Sequence, residues 1–294
     1  MWLIFAMVAT LSWAVADVFY KKGAVPEDRM SHLKTVVMVG LVMGLHAFGY
    51  MLFNNIDFSW KYLVIYLPVS SMYILSMTIG YLGLRYLELS ISSPVQNSSG
   101  AVTSILIYIF FAHKLSHLEI GAITAVTIGI VSLAALERST VKASVAVGSD
   151  KKYQSGFVAI MFPVLYCIVD GLGTFADAIY LDELSIISED MALLAYEYSF
   201  FICAVAAFIY LKRKKEPFSF WTEQDRGAAA VFETIGQFFY VFAMSQNAII
   251  VAPLVASYSV FSVILSSIFL KEKLNSKQYL AVSLIFIGIA LLAN

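Results

Sequence analysis

The sequence predicts an all-α membrane protein of ten transmembrane helices, arranged as two inverted five-helix repeats. Three observations carry that expectation. Sixty per cent of the residues are hydrophobic and only 13% are charged, whereas a soluble domain is about half apolar. Mean hydropathy is +0.81, so the chain has more apolar surface than one aqueous core hides. Apolar runs long enough to cross roughly 30 Å of hydrocarbon recur along the whole chain. Finally, the pattern repeats at a constant offset of 159: Pro94 falls on Pro253, Tyr81 on Tyr240, and His113-Lys114-Leu115 on Glu272-Lys273-Leu274.

In order, the expected spans are 2–20, 33–53, 62–84, 94–112, 118–136, 157–180, 191–211, 227–247, 253–270 and 278–293. The first begins without a positively charged n-region, and Lys21-Lys22 follow it in place of a small-residue cleavage site. It reads as a retained helix, not a signal peptide. The first repeat is 1–136, the linker 137–156 and the second repeat 157–294. The linker is small and charged, from Glu137-Arg138 to Lys151-Lys152. Five spans is an odd number, so the second half enters the membrane from the opposite side. That gives a pseudo-twofold axis in the membrane plane and places a site near the midplane, between the halves.

Of the 19 Lys and Arg residues, 17 lie in connections after odd-numbered spans or, for Lys34, at the adjoining end of the next span; only Lys61 and Lys114 do not. The positive-inside bias therefore predicts cytoplasmic basic loops, both termini external, and an external acidic loop from Asp182-Glu183 to Glu189-Asp190. The expected location is a bacterial cytoplasmic (plasma) membrane, as a monomer or weak homodimer in the lipid bilayer. Net charge is −1 and no basic face stands out, so a nucleic-acid partner is not expected. Cys167 and Cys203 sit in apolar segments and read as packing residues. No His-Glu-x-x-His, nucleotide-binding Gly-rich loop or Cys/His cluster is present. Neither a metal nor a cofactor is expected, and no enzyme.

Leu11-Ser12-Trp13-Ala14, the run Gly80-Tyr81-Leu82-Gly83-Leu84-Arg85-Tyr86-Leu87, and the Pro-led fourth and ninth spans with their short charged Lys-Leu turns resemble the drug/metabolite transporter superfamily, in its ten-helix EamA-type form. The resemblance covers essentially the whole chain. It implies a secondary transporter of small organic solutes working by alternating access. It also implies a cavity among spans 1–4 and 6–9, with spans 5 and 10 peripheral. The Glu of the turn is present as Glu272 and replaced by His113 in the first half.

Ionisable side chains in hydrocarbon are costly and usually face a cavity. Here they are lopsided: Asp17, Asp170, Asp177, Glu197 and Glu233, with His46 as a titratable neighbour and no Lys or Arg well inside a span. At 100° per residue, Trp13, Asp17 and Tyr20 share one helix face. Tyr166, Asp170, Thr174 and Asp177 share a second, and Glu233, Gln237 and Tyr240 a third. Each face joins a carboxylate to aromatic rings, which attract ammonium groups. Candidate substrate-binding residues are therefore Trp13, Asp17, Asn97, Tyr166, Asp170, Thr174, Glu197, Glu233, Gln237, Tyr240 and Tyr258. The expected substrate is an organic cation or amine, exchanged for protons with Asp170 and Glu197 as proton-coupling residues. Those two fall at similar depth and would be close if their consecutive helices are neighbours. Against this, Asp17 would simply pair with Lys21, and Asp177 would be interfacial. The polar opening of span four (Gln96, Asn97, Ser98, Ser99) either orients a solute or satisfies neighbouring backbone. Gly171-x-Gly173 either permits close helix contact or breaks span six. A carrier of neutral metabolites is the first alternative. A flippase of lipid-linked substrates is the second, disfavoured by the lack of buried bases for phosphate.

Overall fold

Between the charged turns the chain is almost wholly apolar, and in such stretches only a helix satisfies every backbone N–H and C=O within its own segment. The computed structural model describes residues 1–111, 116–118, 120–122, 124, 125, 128, 129, 132, 136 and 156–292. Among these there is no strand. The α-helices are α1 (Trp2–Gly23), α2 (Ser31–Phe53), α3 (Lys61–Ile65), α4 (Leu67–Gly83), α5 (Leu89–Gln96), α6 (Ser99–Phe110), α7 (Gly156–Ala178), α8 (Glu189–Arg213), α9 (Gln224–Ala256), α10 (Tyr258–Leu265) and α11 (Ser276–Leu292). Wider π turns follow α7 (Ile179–Glu183) and α10 (Ser266–Leu270). Five helices among the described residues are long and apolar enough to cross a membrane. The turn at His113-Lys114, most of the expected span 118–136 and the linker up to residue 155 lie outside the described residues.

Where the helices depart from the sequence reading, the cause is local. The expected span 62–84 divides at Tyr66 because Pro68 occupies the first turn of α4, a position that suits proline. Span four starts earlier than Pro94: α5 begins at Leu89 with Pro94 inside it and gives way at Asn97-Ser98 to α6. The connection expected between 247 and 253 is helical, since α9 runs unbroken from Gln224 to Ala256. Nothing between Asn247 and Pro253 stops a helix. α7 is continuous through Gly171 and Gly173, so span six is not broken there; Gly171 instead lies against the Ser99 carbonyl and Val102.

The packing is that of a membrane protein, apolar outside and polar inside. Large side chains such as Leu45, Phe48, Phe110, Ile268, Phe269 and Leu280 are exposed. Asp17, Gln96, Asn97, Asp177, Glu197, Glu233 and Gln237 are buried. α1 packs along α9, α2 along α8, and α4 along α7, with α6 also on α7. Two carboxylates accept from backbone N–H groups of helices distant in sequence, one at the start of α5 and one within α9. Glu272 accepts from the N–H of Leu89 at 2.9 Å and of Ser90 at 2.8 Å. Asp182 accepts from the N–H of Ala248 at 3.0 Å. Leu89 and Ala248 correspond at the 159-residue offset.

At the end that carries the basic connections, buried bases tie the segment 24–30 to the bundle. Arg85 donates to the carbonyls of Pro26 (2.8 Å) and Arg29 (3.3 Å). Lys34 pairs with Asp28 at 2.7 Å, and Arg226 bonds Ser31 at 2.8 Å and pairs with Glu223. Burial pushes the Asp28 carboxyl up, but the hydrogen bonds from Lys34 and the Met30 N–H, with the charges of Lys34 and Arg226, outweigh it and hold it below the usual carboxylate range.

Candidate functional site

The three carboxylate-bearing faces converge on one cavity. Its volume, as space open to the centre of a water molecule, is about 80 Å³. One water needs roughly 10–15 Å³ by that measure, so several waters or a small solute fit. α1 contributes Trp13, Asp17 and Tyr20; α4 contributes Tyr73, Met77, Gly80 and Tyr81; α5 and α6 contribute Gln96, Asn97, Ser99 and Gly100. Tyr166, Asp170 and Thr174 come from α7 and Tyr196 from α8. α9 supplies Glu233, Gln237, Tyr240 and an apolar patch of Ala252, Val255 and Ala256, and α10 supplies Tyr258. None of these lining residues is Lys, Arg or His.

Each carboxylate is held by hydroxyls. The Ser93 and Ser262 hydroxyls each donate to Asp17 Oδ2 at 2.7 Å, while Lys21 Nζ reaches the Leu84 carbonyl at 2.8 Å. Tyr20 donates to Glu233 Oε2 at 3.3 Å and accepts from Tyr81 at 3.1 Å. Ser76 donates to Asp170 Oδ1 at 3.3 Å, and Ser99 and Tyr166 also face it. Hydroxyl donors orient a carboxylate without neutralising it, which leaves its charge for a proton or a cationic solute to balance.

Aromatic rings close the walls. Trp13 lies 5.0 Å from Tyr240 and 5.8 Å from Tyr258 between centroids, and its Nε1–H donates to the Glu233 carbonyl at 3.3 Å. Gly236 makes this placement possible: a Cβ there would stand 2.4 Å from Trp13 Cδ1 and Nε1. Beyond one end of the cavity, Asp177 accepts from Tyr66 and, at 3.3 Å, from Tyr73. Tyr73 also meets Tyr240 at 3.1 Å. Asp177 is fully buried, so it is not the interfacial residue the sequence suggested.

Ten of the eleven residues singled out from the sequence line this cavity: Trp13, Asp17, Asn97, Tyr166, Asp170, Thr174, Glu233, Gln237, Tyr240 and Tyr258. Glu197 does not. It lies on another face of α8, with its oxygens 2.9 Å from His46 Nδ1. The expected closeness of Asp170 and Glu197 also fails, because α8 packs chiefly on α2 and α7 on α4 and α6. Sequence reasoning missed Tyr73, Met77 and Tyr196. Tyr73, Met77 and Tyr81 recur at i, i+4 and i+8, a stripe that marks one helix face; Tyr196 carries no such signal.

The helices thus enclose a small, acidic, aromatic-walled cavity within an apolar exterior. The model of the EamA-like transporter family matches residues 158–294. The match marks the second half of the chain as similar to that family. No curated protein matches by sequence. A solved crystal structure aligns over 99% of this chain and 96% of its own, with a TM-score of 0.65 and 13% identity, a likeness of fold.

Proposed function

We propose that the chain is a secondary transporter of a small organic cation or amine, working by alternating access and exchanging solute for protons. The observation that carries this reading is the composition of the cavity: Asp17, Asp170 and Glu233 face it with Trp13, Tyr240 and Tyr258, and no basic side chain lines it. A solute bearing an ammonium group balances the carboxylates and stacks on the rings. The cavity's small volume favours a compact amine. Asp170 is the first choice for coupling, since a proton and a cationic solute compete for the same carboxylate. Glu233 is the substitute. The ten-span inverted-repeat arrangement, with both termini external and a cytoplasmic-membrane location, belongs to the same proposal. The amides of Gln96, Asn97 and Gln237 favour one second reading, a carrier of neutral metabolites.

Asp170→Asn tests the reading, because it keeps shape and hydrogen bonding and removes the charge. In liposomes with an imposed pH gradient, the parental protein accumulates an amine and Asp170→Asn loses the gradient-driven part. Accumulation by Asp170→Asn at the parental rate excludes Asp170 as the coupling residue.

A further inference from the structure

We propose that His46 and Glu197 form a proton-binding site separate from the solute cavity, so that the protein handles protons at two places. The inference rests on the transporter reading and deepens it. Glu197 is completely buried, whereas the His46 side chain keeps 33% of its surface exposed. Both carboxylate oxygens lie 2.9 Å from the same nitrogen, Nδ1. The neutral Nδ1–H tautomer serves both oxygens but leaves the pair with a net charge of −1 in hydrocarbon, which is a costly state. A second proton, taken up at Nε2 from hydronium with release of water, makes the imidazolium and brings the pair to net zero.

The seam that holds the pair is tight. A Cβ at Gly40 would stand 2.4 Å from Ala204 Cβ, and one at Gly44 would stand 2.5 Å from the Phe201 ring. α2 and α8 therefore touch nearly backbone to side chain. His46 faces a groove of about 390 Å³ between α2 and α9, walled by Val42, Val231, Ile235 and Phe238. Those α9 residues lie on the side opposite Glu233, Gln237 and Tyr240. One helix thus meets the solute on one face and the His46 groove on the other, a direct mechanical link between the two sites.

Among the described residues, His46 is the base that faces Glu197. On α2 itself, Tyr50 stacks on His46 at 5.9 Å and donates to Asp190 at 2.7 Å. On α8, Glu197 is the partner, with Asp190 and Glu189 in the first turn as an acidic approach behind Tyr50. The α9 residues lining the groove carry no titratable group. α1 and α4 direct Asp17, Tyr20, Tyr73 and Tyr81 to the cavity.

The two sites differ in kinetics. A proton on Asp170 competes with the solute and changes apparent KM, whereas a proton on His46–Glu197 changes Vmax. The probe is tetramethylammonium, whose own charge does not vary with pH. In liposomes, His46→Gln and Glu197→Gln each lower Vmax of gradient-driven uptake about tenfold while KM stays within about twofold. Parental kinetics in both variants, or a change confined to KM, overturns the proposal. A second readout needs no transport: in ¹⁵N-histidine-labelled protein in nanodiscs, the His46 signal, assigned by its loss in His46→Gln, titrates. Glu197→Gln displaces its midpoint by about one pH unit or more. An unmoved midpoint also overturns the site. If the parental protein does not carry the probe, the amine reading fails and the histidine titration still decides. If Glu197→Gln does not fold, the double variant His46→Gln/Glu197→Gln, which buries no unpaired charge, replaces it in the uptake assay; parental Vmax there overturns the proposal.

Discussion

Glu272→Ala removes the carboxylate that caps α5, and the structure sets the size of the effect. The two backbone N–H groups it holds belong to Leu89 and Ser90, which are only 1% and 2% exposed. Hydrogen bonds to an ionised group contribute about 1.5–3 kcal/mol each, and a buried donor left without its acceptor bears the desolvation cost. Glu272 itself is only half-buried, so water partly replaces the lost oxygens. The expected loss for the pair is therefore about 3 kcal/mol. For a chain of this size, roughly 2–4 °C of melting temperature accompanies each kcal/mol, giving a fall of roughly 6–12 °C. Tryptophan fluorescence of the detergent-purified protein during heating reads this directly. Glu272→Gln falls about half as far, because one amide oxygen serves two donors. A Glu272→Ala protein that melts within about 1 °C of the parent would refute the reasoning, which makes this turn a clamp between the two halves of the chain.

Gly236→Ala places a methyl group on the Trp13 ring; overpacking of this kind costs about 1–3 kcal/mol. A lower melting temperature together with shifted tryptophan emission is expected. Asp28, held below the usual carboxylate range, stabilises the segment 24–30 at pH above the ordinary Asp value of about 3.9, and that contribution is lost as pH falls through the lower folded value. Asp28→Asn should remove this dependence, read as the difference in melting temperature between pH 6 and about pH 3. Ser149→Cys should react with an impermeant maleimide only after the cytoplasmic side is opened; labelling from outside intact cells would reverse the proposed orientation.

Much of the candidate site was legible because it is written in helical spacing. Trp13/Asp17, Tyr166/Asp170/Thr174 and Glu233/Gln237/Tyr240 each occupy one face by geometry that needs no knowledge of neighbours. A charged residue in an apolar helix then turns that face inward. Glu197 shows where this stops. It has the same chemistry and a similar depth to Asp170, but which neighbour its helix meets is decided by packing. Gly40 and Gly44 on α2 draw α8 against that helix, and Glu197 turns to His46. The cap from Glu272 to Leu89 was equally hidden, since it joins residues 183 positions apart. Helix boundaries failed where punctuation misled: Pro94 lies within α5, and the apolar stretch before Pro253 carries no stop signal.

The most direct test of the central claim is a thermal-shift series on the purified protein with small amines and quaternary ammonium ions, set against amino acids, nucleobases and sugars. The account predicts stabilisation by compact cations, at one molecule per chain, that Asp170→Asn and Trp13→Ala both weaken. Stabilisation by neutral or anionic solutes alone would contradict it.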